Sequence, residues 1–259
     1  MDDANLGNEA QPSTRGAVSP AGSPLSGTTA LVTGASRGIG EAVARELARL
    51  GARVGVTART GSRLRALADE IGGWALPGDL ADPTGAGVRQ VLDAFRAEAG
   101  GDPDTLVTSA GVFTIASVEE TPAADLEANW ALNVRASFQC VQGVLPGMRA
   151  RGSGTIIQVG SVSGRKAFPG NAAYSASKFG VRGFHEVLLE ELRGSGVRAT
   201  LLEPAATDTP IWDPMDPDND PYLPPRAAML RPEDVAEAVS FVVTRPAGVQ
   251  VPFLPIERS

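Results

Sequence analysis

Cysteine and histidine are almost absent from this chain of 259 residues, which contains only Cys140 and His185. One cysteine rules out an internal disulfide, and the two residues are too few to hold a zinc ion. We therefore predict no metal site. Cys140 lies among apolar residues at helical spacing and is expected to be a core thiol. His185 is expected to serve packing or an interface rather than chemistry, because apolar residues recur around it along one predicted helix.

Positive charge and long apolar segments are also scarce. The 23 Lys and Arg residues are outnumbered by 30 Asp and Glu residues, giving a formal net charge of -7. This excess of negative charge does not favour binding to nucleic acid or to an anionic membrane. No run approaches the roughly 18 apolar residues of a membrane span, and Asp2, Asp3 and Glu9 stand where a signal peptide would be basic. We expect a cytoplasmic protein with no nucleic-acid or membrane partner.

The alternation of apolar patterns predicts the fold. Residues 1–27 have almost no large apolar side chain and are predicted to form a flexible tail. From residue 28 to 259, short β-branched runs alternate with helical runs, which predicts one α/β domain. Its architecture is a doubly wound, Rossmann-type parallel sheet of about seven strands with helices on both faces. The predicted strands are Thr29 to Thr33, Arg53 to Thr57, Thr105 to Ser109, Thr155 to Val159 and Arg198 to Leu202, with shorter ones near Trp74 and Val249.

One stretch, residues 205–231, interrupts this alternation with many prolines and aspartates. An insert this long in a compact domain is usually functional or disordered. We predict a substrate lid near 205–231, to which Trp212 and Tyr222 would contribute aromatic contacts. A surface loop that packs its own side chains remains an open alternative.

A glycine-rich turn follows the first predicted strand, with the sequence Thr-Gly-Ala-Ser-Arg-Gly-Ile-Gly over residues 33–40. Glycines at these positions let the backbone turn tightly and approach a pyrophosphate, whose charge is met by the amides of a helix N-terminus. The turn lacks the Gly-Lys-Ser/Thr ending of a triphosphate-binding loop. A dinucleotide is therefore favoured over ATP.

Arginines near this turn indicate which dinucleotide binds. The second predicted strand is followed by Arg59, where an acid that would bind a ribose 2′-hydroxyl is missing. Arg37 lies within the glycine-rich turn itself. Two guanidinium groups suit a 2′-phosphate, which predicts NADP(H). A generic basic surface is the alternative, since other arginines surround Arg59.

Tyr174 and Lys178 are four residues apart, which brings a phenol and an ammonium onto one face of a helix. A cation held beside a phenol favours the phenolate. An ordinary tyrosine titrates at about pH 10, so lowering its pKa by two to three units takes roughly 3 to 4 kcal/mol. Tyr174 is therefore a candidate proton donor and acceptor. Taken alone, the pair more often indicates an amphipathic helix with a solvated lysine than a catalytic pair.

Together these motifs resemble the short-chain dehydrogenase/reductase family in its compact single-domain branch, over about residues 28–245. The resemblance rests on several motifs in the family's order, namely Thr33 to Gly40, Asp79-Leu80, Asn133, Ser161 and the Tyr174/Lys178 pair. Ser161 precedes Tyr174 at the spacing that the family shows. It is therefore a better match to the family's serine than the nearby Ser163. The chain departs from the family at Ala205, where a glycine is usual after Pro204.

The resemblance implies a role for each matching residue. Tyr174 would donate or accept the substrate proton, Ser161 would hold the carbonyl oxygen, Lys178 would contact the nicotinamide ribose, and Asn133 would support a water chain. The implied cofactor-binding set is Gly34, Ser36, Arg37, Gly38, Ile39, Gly40, Arg59, Asp79, Leu80, Ala110, Gly111, Tyr174, Lys178, Pro204 and Thr209.

The resulting hypothesis is an oxidoreductase that transfers a hydride between NADP(H) and a ketone or secondary alcohol. A cofactor-sensing or scaffold protein with the same fold and no redox turnover stays open as an alternative. So does dehydration or epimerisation that uses a bound nicotinamide. The resemblance also implies a homodimer or homotetramer that associates through the fourth and fifth helices. Tetramer contacts made by the C-terminal segment are not expected, because Pro252 limits strand pairing there.

Overall fold

The computed structural model of the protein describes residues 22–59 and 61–259. Most of the predicted N-terminal tail lies outside these residues. Its last part, residues 22–27, is described and contacts the domain. Leu25 is buried in the core, and its amide nitrogen donates a hydrogen bond to the Leu50 carbonyl oxygen at 2.8 Å. The packed part of the chain therefore begins a few residues earlier than the sequence pattern predicts.

Seven strands form one sheet, namely β1 (Thr29–Thr33), β2 (Arg53–Thr57), β3 (Trp74–Ala75), β4 (Thr105–Thr108), β5 (Gly154–Val159), β6 (Val197–Pro204) and β7 (Phe253–Ile256). Their order is β3-β2-β1-β4-β5-β6-β7, and each neighbouring pair is parallel. The chain runs outward from β1 to β3 and then returns to place β4 beside β1. This reversal confirms the predicted doubly wound sheet, and ligands bind at such a switch point, at the carboxyl ends of the strands.

The helices of the domain are α1 (Gly38–Arg49), α2 (Gly61–Ile71), α3 (Ala86–Ala99), α4 (Ala123–Asn129), α5 (Ala136–Arg151), α6 (Ala172–Glu191) and α7 (Pro232–Val243). A π-helical turn, Trp130–Arg135, joins α4 to α5, so the predicted fourth helix is continuous but locally widened. The predicted fifth helix is α6. Among the described residues, no helix is both long and apolar enough to cross a membrane.

Different helices cover the two faces of the sheet. Leu31 packs in one core cluster with side chains of α3, α5 and α6, whereas the next residue, Val32, packs with side chains of α1, α2 and α7. Both residues are completely buried. Successive side chains of a strand point to opposite faces, so near-continuous apolar strands are what a sheet covered on both sides requires.

The last strand lies further along the chain than predicted. The sequence pattern indicates a strand near Val249, but β7 begins at Phe253, and Val249 is 41% exposed. Proline explains the difference, because it has no amide hydrogen to donate. The Pro252 carbonyl oxygen accepts a hydrogen bond from the Leu201 amide at 3.0 Å, and regular pairing starts only after it. Pro255 is tolerated within β7 because that strand forms the edge of the sheet.

The insert at 205–231 is a loop whose two ends pair with each other. The Asp208 amide donates to the Leu230 carbonyl oxygen at 2.8 Å, and the Leu230 amide donates to the Ala206 carbonyl oxygen at 2.9 Å. Within the loop, the Arg226 guanidinium forms ion pairs with Asp208 and Asp213, the second at 2.7 Å. The two ends of the insert are therefore held together, and ion pairs connect its interior.

Candidate active site

A cavity of about 1080 Å³ opens along the carboxyl ends of the central strands. Its walls come from the segments that follow β1, β4, β5 and β6, together with α6 and the 205–231 loop. The glycine-rich turn lines the cavity, and so does Tyr174. The predicted cofactor motif and the predicted proton donor therefore share one cavity.

The glycine-rich turn is built from close backbone approaches. Gly34 has a φ of 68°, and a Cβ atom there would lie 2.6 Å from the Ala110 Cα atom. Gly38 has a φ of 60° and begins α1. A Cβ atom on Gly40 would lie 2.6 Å from the Gly34 carbonyl oxygen. Larger side chains would fill this cradle, which fits a pyrophosphate lying against the N-terminal amides of α1.

Three guanidinium groups line the same cavity, those of Arg37, Arg59 and Arg63. None of them forms an ion pair with another described residue. Arg37 and Arg59 belong to the predicted cofactor-binding set, whereas sequence reasoning missed Arg63. The available signal was its position in the first turn of α2, four residues after Arg59. The three cations suit a phosphate group.

Tyr174 lies near the start of α6, and its side chain packs against an aromatic ring. The Phe113 ring meets the Tyr174 ring edge to face, with the ring centroids 4.7 Å apart. Burial raises the pKa of Tyr174 to about 12, while an interaction with the Ser161 hydroxyl acts in the opposite direction. The phenol is therefore protonated at neutral pH and can donate its proton into the cavity.

Lys178 follows Tyr174 by one turn of α6 and is 7% exposed. Its Nζ atom donates a hydrogen bond to the Val159 carbonyl oxygen at 2.9 Å and lies 5.6 Å from the centroid of the Tyr174 ring. Burial lowers the pKa of Lys178 to about 8. The predicted pairing of phenol and ammonium on one helix face is therefore present in the structure.

Ser161 follows the end of β5 and caps a short 3₁₀ turn, Val162–Gly164. Its Oγ atom accepts a hydrogen bond from the Ser163 amide at 3.1 Å, which leaves its own proton free for donation. Both serines line the cavity. A Cβ atom on Gly164 would come within 2.9 Å of the Lys178 carbonyl oxygen, so the serine turn packs tightly on α6.

Two predicted site residues, Asn133 and Asp79, do not line the cavity. Asn133 lies in the π-helical turn, where its Oδ1 atom accepts from the Val112 amide at 2.9 Å and its Nδ2 atom donates to the Ser177 Oγ atom at 2.9 Å. It therefore links the segment after β4 to α6. The Asp79 carboxylate accepts a hydrogen bond from the Ala81 amide at 3.0 Å.

The other predicted cofactor residues lie along the cavity wall. Thr209 stands over the glycine-rich turn, since a Cβ atom on Gly38 would come 3.0 Å from the Thr209 Cβ atom. The Thr33 hydroxyl accepts hydrogen bonds from the Ser109 and Ala110 amides, each at 3.0 Å, and so joins the ends of β1 and β4. The predicted residues that line the cavity are Gly34, Ser36, Arg37, Gly38, Ile39, Gly40, Arg59, Leu80, Ala110, Gly111, Ser161, Tyr174, Lys178, Pro204 and Thr209.

Cys140 and His185 take the packing roles predicted for them. Cys140 is buried, and its burial raises the pKa of the thiol to about 12. His185 is also buried, with its ring nitrogens 2.9 Å from the Gln158 Oε1 atom and 2.8 Å from the Pro252 carbonyl oxygen. Burial lowers the pKa of His185 to about 4. No group of three His, Cys, Asp or Glu side chains that could hold a metal ion occurs in the part of the chain that the structure covers.

Several known proteins are similar to this chain in sequence or in structure. The family model for short chain dehydrogenases matches residues 28–220. The chain is 35% identical to D-threitol dehydrogenase of Mycolicibacterium smegmatis over 87% of this chain and 89% of that protein. It is also 35% identical to glycine betaine reductase of Emericella nidulans, a match that covers 90% of this chain but only 19% of that protein. A metagenomic short-chain oxidoreductase solved in complex with NADP has a TM-score of 0.76 and 32% identity, covering 92% of this chain and 99% of that one. The chain therefore belongs to the short-chain dehydrogenase/reductase family of NAD(P)-dependent oxidoreductases.

Proposed function

We propose that this protein transfers a hydride between NADP(H) and a ketone or secondary alcohol, with Tyr174 as the general acid and base. The observation that carries the proposal is that Ser161, Tyr174 and Lys178 line one cavity together with the glycine-rich turn. A protein that only sensed a cofactor would have no need for this combination of hydroxyl, phenol and ammonium. The site carries this functional assignment, because the fold alone supports many activities.

The bound nicotinamide would supply or take up the hydride, and the side chains would manage the substrate oxygen and its proton. In the reducing direction, Ser161 donates a hydrogen bond to the carbonyl oxygen, on which negative charge develops as the new C–H bond forms. Tyr174 gives its phenolic proton to the same oxygen, which becomes the hydroxyl group of the alcohol. In the oxidising direction, Tyr174 takes that proton back.

Lys178 would stabilise the phenolate that Tyr174 becomes. Burial raises the pKa of the phenol from 10.0 to about 12, even against the lowering effect of the Ser161 hydroxyl. Reversing that rise takes about 3 kcal/mol of preferential phenolate stabilisation. A nearby ammonium is the direct source of such stabilisation in the chain itself. Lys178 would also contact the nicotinamide ribose, and Asn133 would act as a positioning residue between the segment after β4 and α6.

The cofactor proposal is NADP(H) rather than NAD(H). Arg37 and Arg59 would hold the 2′-phosphate, since a planar guanidinium can bond two phosphate oxygens at once. Arg63, which lines the same cavity, would be a third contact. The related metagenomic oxidoreductase was solved with NADP, which supports this choice. The other members of the proposed set are Gly34, Ser36, Gly38, Ile39, Gly40, Asp79, Leu80, Ala110, Gly111, Pro204 and Thr209.

Two measurements test the function. Titration of the protein into NADPH should change the nicotinamide fluorescence at lower protein concentrations than titration into NADH, and equal affinities would refute the cofactor choice. Replacement of Tyr174 by Phe should abolish turnover of a ketone panel while NADPH affinity stays within about twofold, because the ring is kept and only the proton is lost. Retained turnover would remove Tyr174 from the mechanism, and silence of the unmodified protein across diverse ketones and alcohols would favour a sensor.

The 205–231 loop is proposed to act as the substrate lid. Its Trp212 ring lies 4.9 Å from the Phe113 ring, centroid to centroid, and Phe113 in turn packs on Tyr174. The loop therefore contributes directly to the surroundings of the proton donor. We further propose a single catalytic domain over residues 28–259 that works in the cytoplasm.

A homodimer or homotetramer through α4, α5 and α6 is also proposed. These helices and the π-helical turn expose several large apolar side chains, which are Leu126, Trp130, Phe138, Phe179 and Val187. Exposed apolar surface of this kind is typical of an interaction site. Light scattering coupled to size exclusion should give a multiple of the chain mass, and Phe179→Glu should shift it to the monomer. A monomeric unmodified protein would refute the proposal.

A further inference from the structure

Two aromatic residues from distant segments form a wall beside the proton donor. Phe113 lies after β4, and Trp212 lies in the 205–231 loop; both line the cavity together with Tyr174. Phe113 makes edge contacts with both of the other rings. Trp212 is only 9% exposed, and its Nε1 atom donates to the Thr207 carbonyl oxygen at 3.1 Å. The wall is therefore fixed by packing and hydrogen bonding before any substrate arrives.

The charges around this wall do not select an ionic substrate. Apart from the three arginines assigned to the cofactor, the charged residues lining the cavity are Lys166, Lys178, Asp220 and Glu257. Lys178 already donates to Val159, and Glu257 is paired with Arg165. Lys166 is exposed, and its Nζ atom lies 5.4 Å from the centroid of the Phe168 ring. A substrate carboxylate would meet these two ammonium groups and no free guanidinium fork, and Asp220 and Glu257 would repel it.

We propose that the reaction end of the cavity takes uncharged ketones and secondary alcohols that carry an aromatic ring, and that this ring packs against Phe113 and Trp212. The inference rests on the proposed function and narrows its substrate class. Aromatic rings favour offset or edge-to-face contact with other rings, so a substrate ring gains more from this wall than an aliphatic group of equal size. Its burial also removes apolar surface from water.

Aromatic walls can also bind quaternary ammonium groups through their ring faces. Here, however, the ammonium groups of Lys166 and Lys178 line the same cavity and oppose the attraction that Asp220 and Glu257 would have for a cation. The two positive and two negative groups therefore give a cationic substrate no net electrostatic advantage. An uncharged ring therefore fits these surroundings better than a cation.

Asn171 provides a neutral polar group in the same cavity. It lines the cavity three residues before Tyr174, is 9% exposed, and does not cap α6 with its side chain. An amide can both donate and accept hydrogen bonds. It would therefore meet an uncharged polar substituent of the substrate without requiring a charge there.

A matched series of methyl ketones tests the substrate class. The four ketones are phenylacetone, cyclohexylacetone, acetoacetate and acetonyltrimethylammonium. All have the structure CH3-CO-CH2-X and differ only in X, which is a phenyl, cyclohexyl, carboxylate or trimethylammonium group. With NADPH, we expect kcat/KM for phenylacetone to exceed that for either ionic ketone by about 30-fold or more. It should exceed that for cyclohexylacetone by about three- to tenfold.

The outcomes of this series separate two failures. Faster turnover of acetoacetate or of the ammonium ketone would overturn the uncharged aromatic class while leaving the oxidoreductase function intact. Equal turnover of phenylacetone and cyclohexylacetone would overturn the part assigned to aromatic contact. If none of the four ketones oxidises NADPH, and the related alcohols do not reduce NADP, the proposed function itself fails.

Substitutions in the wall provide the second arm. Phe113→Leu and Trp212→Leu each keep an apolar side chain but remove a ring, so each should lower the phenyl-to-cyclohexyl ratio by about three- to tenfold. Phe241→Leu, at a 45% exposed position on α7 that does not line the cavity, is the matched control and should leave the ratio unchanged. Thermal denaturation would show whether each wall variant is folded. If one of them is not, the other still tests the role of the wall. An unchanged ratio in a folded wall variant would refute the assignment.

Discussion

The Lys178 ammonium donates a hydrogen bond to the carbonyl oxygen of Val159 at 2.9 Å, and Val159 is the last residue of β5. Ser161 follows two residues later. This bond therefore ties the helix that carries Tyr174 and Lys178 to the strand end that carries Ser161. The relative position of all three groups depends on it, and it keeps a charge-bearing side chain out of water.

The pKa of Lys178 predicts how cofactor binding responds to pH. Burial lowers this pKa to about 8, so the ammonium is charged below that pH and neutral above it. We expect NADPH affinity to fall by up to about tenfold as the pH rises through 8, because a charge-assisted contact is lost. Fluorescence titrations at a series of pH values would measure this. Lys178→Arg stays charged and should flatten the curve; an equally steep curve in that variant would contradict the assignment.

Burying the Lys178 ammonium should also cost stability. Its pKa falls from 10.5 when solvated to about 8 when folded, so the unfolded chain binds more protons between these values and stability rises with pH there. Below that window the full penalty applies. Lys178→Met removes the charge but loses the bond to Val159, and we expect a net gain of about 1 to 3 kcal/mol at neutral pH.

Scanning calorimetry would detect this gain as a rise in melting temperature of about 2 to 9 °C, accompanied by loss of turnover. The gain should shrink as the pH approaches 10.5. Lys166→Met, at an exposed position, is the matched control and should leave the melting temperature almost unchanged. A Lys178→Met protein that melts below the unmodified one would show that the hydrogen bond outweighs the cost of the buried charge.

Arg63 should distinguish NADPH from NADH. It lines the cavity with Arg37 and Arg59, whereas Arg65, two residues further on, does not. Arg63→Ala should weaken NADPH binding by about 10- to 100-fold, the usual range for losing a hydrogen bond to a charged group, and leave NADH binding unchanged. Arg65→Ala controls for a general loss of positive charge. Equal losses in the two variants would indicate only a diffuse basic surface.

The parts of this molecule that could be predicted from the sequence are those whose geometry depends only on residue spacing. The glycine-rich turn needs only a strand before it and a helix after it, and the Tyr174/Lys178 pair needs only one helix. The contact of Phe113 with Trp212 depends instead on how segments about a hundred residues apart fold together, which no local periodicity encodes. Arg63 is different, because it lines the cavity from the first turn of α2, four residues after Arg59, and this local spacing could have indicated it.

A buried carboxylate beside the cavity should be the main determinant of stability in this region. Glu203 is 2% exposed at the end of β6, with its Oε1 atom 2.6 Å from Arg182 of α6 and its Oε2 atom 3.7 Å from Arg165. It thus joins α6, the segment after Ser161 and the strand that leads to Pro204. Removing this carboxylate would leave Arg182 with Glu186 and Arg165 with Glu257, so the cost is that of lost hydrogen bonds to charged groups, about 2 to 3 kcal/mol, rather than that of an unpaired buried charge.

Glu203→Gln should therefore lower the melting temperature by about 4 to 9 °C. Glu186→Gln is the matched control, because Glu186 also pairs with Arg182, at 3.1 Å, but its side chain is 55% exposed. Exposed pairs contribute about 0 to 1 kcal/mol, so this variant should melt within about 3 °C of the unmodified protein. Similar falls in melting temperature in the two variants would mean that Glu203 stabilises the fold only through its pairing with Arg182. Its burial between three segments would then add nothing to stability.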